Sequence, residues 1–230
     1  MESLSQAAHR RLYPSLTQPA YLALRSRRLI FASWARQLNG PPLKILDIGG
    51  RYQPYRPLFE PHIGRYFAVD LVQTEFVSAV ADAVRLPFAP ASFDMAIATQ
   101  VFEYLQDPCE VARQIHAVLK PGGVLLASFA ACTPRFGDDE YWRFTPSGLR
   151  LILAPFGSVE IVPELRSVGG LTRTINLGLE TLVRYNSFGS VYRWTLCPLL
   201  NLFGLMVEKM NLTSDDRFTT NFSVRAAKTE

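Results

Sequence analysis

Apolar and polar positions along the chain fall into two rhythms. The first is a set of short, nearly unbroken apolar runs. Leu43-Lys44-Ile45-Leu46-Asp47-Ile48 ends in Gly49-Gly50, the pattern of a strand buried on both faces. Residues 66–71, with Asp70 at their end, predict a second strand, and residues 76–81, followed by Asp82, a third. Residues 93–99 predict a fourth and 124–129 a fifth. The second rhythm has a helical period. Tyr21, Leu22, Leu24, Leu29, Ile30, Trp34 and Leu38 form an apolar stripe within residues 1–40, which Asn39-Gly40-Pro41-Pro42 brings to a stop. Between strands four and five, Asp107 can cap a helix, Pro108 suits its first turn and Glu110 has capping-box spacing. Val111, Ile115, Val118 and Leu119 share its inner face, and Pro121-Gly122-Gly123 closes it.

Short strands alternating with helices predict a parallel sheet covered on both faces. Beyond residue 130 the pattern changes. Residues 132–144 are polar and aromatic, Thr145-Pro146 opens a helix through Ala154, and residues 159–162 and 218–226 predict a final strand pair. About 50 mostly helical residues separate that pair, longer than a normal connection. The expected layout is a helical N-terminal segment over 1–42 and one α/β domain over 43–230, with a helical insertion over 166–212 covering the cleft.

Composition narrows the class. Of 230 residues, 48% are hydrophobic, 19% charged and 12% aromatic, with a mean hydropathy of +0.08. That is enough to fill a core and excludes general disorder. The most apolar stretch, 194–207, is interrupted by Pro198, Asn201 and Gly204 and falls short of the ~20 residues a spanning helix needs. Its leucines suit core burial, a homodimer face or peripheral membrane contact. His9, Arg10 and Arg11 lie where a secretory signal would be apolar. Cys109, Cys132 and Cys197 are scattered, without the spacing of a disulfide framework or a metal clip. A cytoplasmic location and no metal are expected. The net charge of +4 is modest but is built from 20 Arg and 4 Lys. Codon preference explains that, or arginines that grip acidic partners through the guanidinium fork. Arg10, Arg11, Arg25, Arg27, Arg28 and Arg36 come without a nucleic-acid motif and read as a solvated basic helix face.

In a doubly wound sheet, ligands bind beyond the carboxyl ends of the strands. Gly49-Gly50 ends the first strand, where a missing Cβ admits a ligand close to the backbone. Asp70 lies 21 residues beyond Gly49, the spacing at which a carboxylate meets a ribose. Asp82 and Gln100 end the third and fourth strands. An adenosine-bearing ligand across the strand tips follows. A nicotinamide fingerprint is absent, since Gly49 is followed by Gly50, Arg51, Tyr52, Gln53 and Pro54. No lysine lies four residues after a tyrosine. An NAD-dependent dehydrogenase or epimerase is therefore disfavoured.

These residues resemble the class I S-adenosylmethionine-dependent methyltransferases over about residues 43–130. The resemblance rests on Leu46-Asp47-Ile48-Gly49-Gly50, Val69-Asp70-Leu71, Ala81 to Phe88, Ser92-Phe93-Asp94, Val101 to Pro108 and Leu119 to Gly123, in that order. It implies a Rossmann-like seven-stranded sheet, mostly parallel with one antiparallel strand, and a type 11-like methyltransferase domain. By the same resemblance, the backbone of Gly49 and Gly50 would face the methionine part of the cofactor and Asp47 would hold its ammonium. Asp70 would take the ribose hydroxyls with Leu71 against the adenine. Asp82 and Ala83 would meet the adenine amine, and Gln100 would line the cleft near the sulfonium. Arg51 stands where a further glycine is usual, and Tyr104 where a histidine is usual. Arg51 argues for a second reading, a cofactor-binding module without turnover. Pro54 to Phe59 and Tyr141 to Leu149 are similar to a bacterial subgroup associated with surface polysaccharide and glycolipid assembly.

Methyl transfer needs alignment more than acid–base machinery, although a hydroxyl acceptor benefits from a base. Asp138, Asp139 and Glu140 follow strand five and supply either that base or a solvated acidic turn. Tyr141, Trp142 and Phe144 form an aromatic wall for a sugar or pack the next helix, and Arg143 could grip a phosphate. His9, His62 and His116 read as structural or solvated. Transfer to a small-molecule or glycan-like acceptor, on oxygen by weak preference, is the function expected.

Overall fold

A computed structural model of the chain describes residues 3–135, 137–183, 188–210 and 215–229. Among them, β1 (Leu43–Ile48), β2 (Ile63–Asp70), β3 (Ala79–Val80), β4 (Phe93–Thr99), β5 (Leu119–Ala130), β6 (Ser158–Pro163) and β7 (Asn221–Ala227) form one sheet. Its order is β3-β2-β1-β4-β5-β7-β6. β1 pairs in parallel with β2 and β4, with Ile48 opposite both Val69 and Ala98. β5 continues the parallel run, and β7 lies antiparallel to both β5 and β6. This is the mostly parallel sheet with one reversed strand that the resemblance implied. The third strand is shorter than expected. Only Ala79 and Val80 pair with Val69 and Asp70, at one edge of the sheet.

Alternation along the strands assigns the two faces. Leu46, Ile48, Ala96, Ala98, Leu125 and Ala127 pack on one side around Phe93, Phe102 and Phe129. The helices α4 (Pro108–Val118) and α5 (Pro146–Ile152) cover that side, with Val111, Ile115 and Leu149 in the same cluster. On the other side Ile45, Met95, Ile97 and Leu126 meet Leu12 of α1 (Leu4–Leu12), Phe31 and Trp34 of α2 (Tyr21–Ala35) and Phe59 of α3 (Arg56–Phe59). The N-terminal segment, which reads as helical over 1–40, is built of two helices, α1 and α2, and the segment between them contains Pro14 and Pro19.

The capping signals are used as written, with one difference. Asp107 accepts from the Glu110 amide at 2.9 Å, and Thr145 accepts from the Gly148 amide at 3.2 Å. Glu110 does not close a capping box; its carboxylate turns to Arg113 (2.9 Å) and Gln114 (2.7 Å).

Between β6 and β7 lie α6 (Ser167–Val183), α7 (Phe188–Trp194) and α8 (Leu196–Met210). They are docked by small residues and buried amides. A Cβ on Gly204 of α8 would sit 2.5 Å from Leu22 of α2. Buried Asn201 donates to the carbonyls of Leu16 (2.7 Å) and Gln18 (3.0 Å) in the α1–α2 connection and accepts from Asn176 of α6 (3.1 Å). These bonds hold the α1–α2 turn against α8.

Candidate functional site

Parallel pairing of β1, β2 and β4 carries Gly49, Asp70 and Gln100 to one edge of the sheet. The amides of Gly49 and Gly50 both donate to the Val69 carbonyl, at 2.8 and 3.1 Å, which folds the chain sharply back after β1. Gly49 has φ +70°, and a Cβ there would meet Val101 Cγ2 at 2.5 Å, so glycine is required on both counts. Gly50 is buried, and its missing Cβ makes room for Ala68 and Asp47 at 2.9 Å. Its role is packing under the turn. Gln100 holds φ +54° without being glycine, fixed by its amide to the Ser128 carbonyl (3.0 Å) and its side chain to Ser128 Oγ (3.3 Å). These bonds hold the turn that ends β4 in a left-handed conformation uncommon away from glycine.

Asp70 is buried, with Oδ1 accepting from the Val72 amide (3.0 Å) and Oδ2 from Arg51 Nε (3.1 Å). Leu71 beside it is 69% exposed, an apolar surface open to a flat ligand. Asp82 is exposed and accepts from the Val84 amide at 3.1 Å, with Ala83 buried next to it. Gly49, Arg51, Asp70, Leu71, Asp82, Ala83, Gln100 and Val101 all line one cleft of about 570 Å³, a size typical of small-molecule sites.

Asp47 and Gly50 do not line this cleft. Asp47 lies behind the turn, where it accepts from the Tyr66 hydroxyl at 2.7 Å. Burial raises its pKa to about 7, opposed by the Tyr66 bond and reinforced by Asp70. The 138–143 segment is also outside the lining. Asp138 and Asp139 are exposed, and Asp138 pairs with Arg135 at 3.0 Å. Glu140 pairs with Arg143 at 2.5 Å. Arg143 further donates to the carbonyls of Thr133, Trp142 and Pro134, so its donors are taken up in holding the loop. Tyr141 and Trp142 keep exposed rings, and Trp142 Nε1 donates to the carbonyl of Leu105, a cleft residue, at 2.7 Å. Phe144 packs in the core beside Phe129.

The cleft also contains residues that the pattern along the chain did not single out as ligand contacts. Tyr52, Tyr55 and Tyr104 line it, together with Arg11, Arg27 and Arg173. Tyr104 has its pKa raised to about 12 by partial burial and by Glu140 and Glu103, so it stays a neutral donor. Glu103 is buried with Oε2 unpartnered, and burial lifts it to about 7. The arginines of α2 are not all a solvated face: Arg27 is 5% exposed and forms a two-pronged pair with Glu164 at 2.6 and 3.0 Å. Its position gave a signal. Ala23, Arg27, Phe31 and Trp34 recur at helical spacing on the buried side of α2, which places a charge where only a partnered one is stable.

Residues 46–127 match the family described as a methyltransferase domain. An uncharacterized methyltransferase of Mycobacterium leprae is 24% identical over 154 residues, covering 61% of this chain and 57% of the relative. The mitochondrial arginine-hydroxylase NDUFAF5 of Homo sapiens is 32% identical over 109 residues, 43% of this chain and 30% of the relative. The chain thus spans about half or less of the length of these curated relatives. Among solved structures, the phosphoethanolamine N-methyltransferase 2 of Haemonchus contortus, in complex with phosphomonomethylethanolamine and S-adenosylhomocysteine, superposes with a TM-score of 0.56. It is 17% identical, and the alignment covers 100% of this chain and 61% of that one, so the likeness is one of fold. The matched stretch 46–127 thus runs from β1 into β5 of a sheet built in this strand order, and is similar in sequence to a methyltransferase domain.

Proposed function

We propose that the chain transfers a methyl group from S-adenosylmethionine to a small-molecule acceptor. The observation that carries this reading is the cleft itself. It begins at the strand-end carboxylates Asp70 and Asp82, passes the strained Gln100 turn and continues between helices and tyrosines. The residues suit the cofactor in kind: a carboxylate for a ribose, exposed Leu71 for an adenine face, and a glycine turn without side chains near the methionine part. When bound, S-adenosylmethionine supplies a methyl group already activated by its sulfonium. The chain's own residues would then bind, orient and exclude water. Tyr104 lines the cleft wall, with its hydroxyl engaged by Glu140 of the 138–143 segment. Val101 and Leu105 keep the neighbouring surface apolar.

The finer reading is oxygen methylation of a small or glycan-like acceptor, with residues 138–143 at the cleft rim. The exposed rings of Tyr141 and Trp142 beside Leu105 support it. Trp142→Ala and Glu140→Gln should then lower turnover while cofactor affinity stays within a factor of about two. Loss of cofactor binding with turnover kinetics intact would mean the segment only packs. Contact with a membrane surface or a second copy would be sought on α7 and α8, where Trp194, Leu199, Phe203 and Met206 are exposed. No helix among the described residues is long and apolar enough to cross a membrane.

A second reading has one observation in its favour. Arg51 donates to Asp70 Oδ2 and so competes with a ribose for that carboxylate, as expected of a module that binds weakly and does not turn over. Calorimetry with S-adenosylmethionine, S-adenosylhomocysteine and NAD separates the readings. Binding of the first two with conversion of one to the other supports the transferase. Binding without conversion on any acceptor supports the module, and binding of NAD alone overturns both.

A further inference from the structure

Besides Arg51, which pairs with Asp70, three guanidinium groups, Arg11 of α1, Arg27 of α2 and Arg173 of α6, line the same cleft, and among the described residues only Arg27 of these three has a carboxylate partner. Glu164 is fully committed: it receives two bonds from Arg27 and one from Ser223 Oγ at 2.9 Å. Arg173 is 5% exposed, with its Nε lacking any hydrogen-bond partner and its Nη1 reaching only Thr133 Oγ1 at 3.3 Å. No carboxylate among the described residues lies within ion-pair distance of it. Arg11 stacks 4.4 Å over the Tyr52 ring and likewise has no acidic partner among the described residues. Tyr55 is buried in the same wall, with its hydroxyl also unpartnered. Burial lowers the pKa of Arg173 to about 10, which leaves it charged at neutral pH.

An unpaired buried guanidinium is costly to the folded state. Two buried orphaned groups, Arg173 Nε and the Tyr55 hydroxyl, beside a buried cation without an acidic partner and the more exposed Arg11, have one economical chemical complement, an oxyanion brought in by a ligand. Both unpaired arginines come from α1 and α6, outside the matched stretch 46–127 that supplies the carboxylate end of the cleft. We infer that Arg173, with Arg11 and Tyr55, holds an anionic group of the acceptor, a carboxylate or a phosphate, and so orients the acceptor toward the Gln100 edge. This inference rests on the transferase reading, since it assigns the acceptor end of that cleft.

The test uses the whole chain saturated with S-adenosylhomocysteine, titrated separately with inorganic phosphate and with acetate at low ionic strength. Binding of either anion is expected, and the preferred one names the group. Arg173→Leu should weaken that anion by about tenfold or more, while leaving S-adenosylhomocysteine affinity unchanged. Its melting temperature should be equal or higher, because an unpartnered buried charge has been removed. Arg173→Lys should recover part of the anion binding. Three results would overturn the inference. One is wild-type protein that binds S-adenosylhomocysteine but neither anion. Another is an Arg173→Leu protein that loses S-adenosylhomocysteine yet keeps methylthioadenosine, which lacks the amino-acid part, for then Arg173 serves the cofactor's own carboxylate. The third is a marked fall in melting temperature, the mark of a structural arginine. Failure of wild-type protein to bind S-adenosylhomocysteine at all would instead sink the transferase reading on which the inference stands.

Discussion

Asp70 shows how much one strand-end residue carries. Its carboxylate is desolvated, anchored by a backbone amide and faced by Arg51, yet it still lines the cleft. Asp70→Ala should weaken S-adenosylhomocysteine binding by about 1.5–3 kcal/mol, the range for losing a hydrogen bond to a charged group; calorimetry reads it directly. Gly49→Val should be at least as damaging, because the positive φ and the contact with Val101 both resist a side chain. Two further carboxyls make a pH prediction. Asp47 and Glu103 are each lifted to about 7, chiefly by burial. The unfolded chain therefore ionises them first, and the stability that they contribute below about pH 4 is lost as pH rises towards 7. Melting temperatures of Asp47→Asn and Glu103→Gln, compared with wild type from pH 4 to 8, should show the wild-type disadvantage growing through that window. A difference independent of pH would remove the assignment.

At the scale of elements, α4 presents the clearest test of a local signal. Asp107 caps it, while Glu110 at the capping-box position bonds elsewhere. Asp107→Ala should lower stability by about 0.5–2 kcal/mol in urea unfolding. Glu110→Ala should cost less, since its partners are exposed groups on its own helix. Helix starts such as Asp107-Pro108 and Thr145-Pro146 were legible because caps act within one turn. The short β3 and the extended β2 were not, because strand ends depend on whether a neighbour is present to pair with.

Across the whole molecule, the buried pair Arg27–Glu164 ties α2 to the segment after β6, 137 positions away. Burial disfavours the charge of Arg27, and Glu164 more than restores it. Glu164→Gln leaves that guanidinium unmatched and should cost about 3–5 kcal/mol in denaturant unfolding. It would also add a third unpaired arginine to the cleft. A loss below about 1 kcal/mol would mean that water reaches the pair and that the cleft is more open than the side-chain burial implies.

The sequence alone determined most of the elements and which strand-end residues meet at the carboxylate end of the cleft. Strand tips in a parallel sheet share one edge, so Gly49, Asp70, Asp82 and Gln100 could be brought together from spacing and alternation without knowing any distance. What only the tertiary structure decided is the other end. Arg11, Arg27 and Arg173 lie on separate helices and Tyr55 on the turn before α3, and the approach of the helices is set by contacts such as Gly204 against Leu22 and Asn201 against the α1–α2 turn. No local rule fixes that docking, because it depends on side chains complementary in shape and far apart in the chain. The 138–143 segment is held outside the cleft lining by its own loop: Arg143 finds its carbonyl partners at Thr133 and Pro134 only once the chain has turned back on itself. Burial then converts an arginine that reads as a surface charge into one that needs a partner, and a count of residues along a chain cannot measure burial.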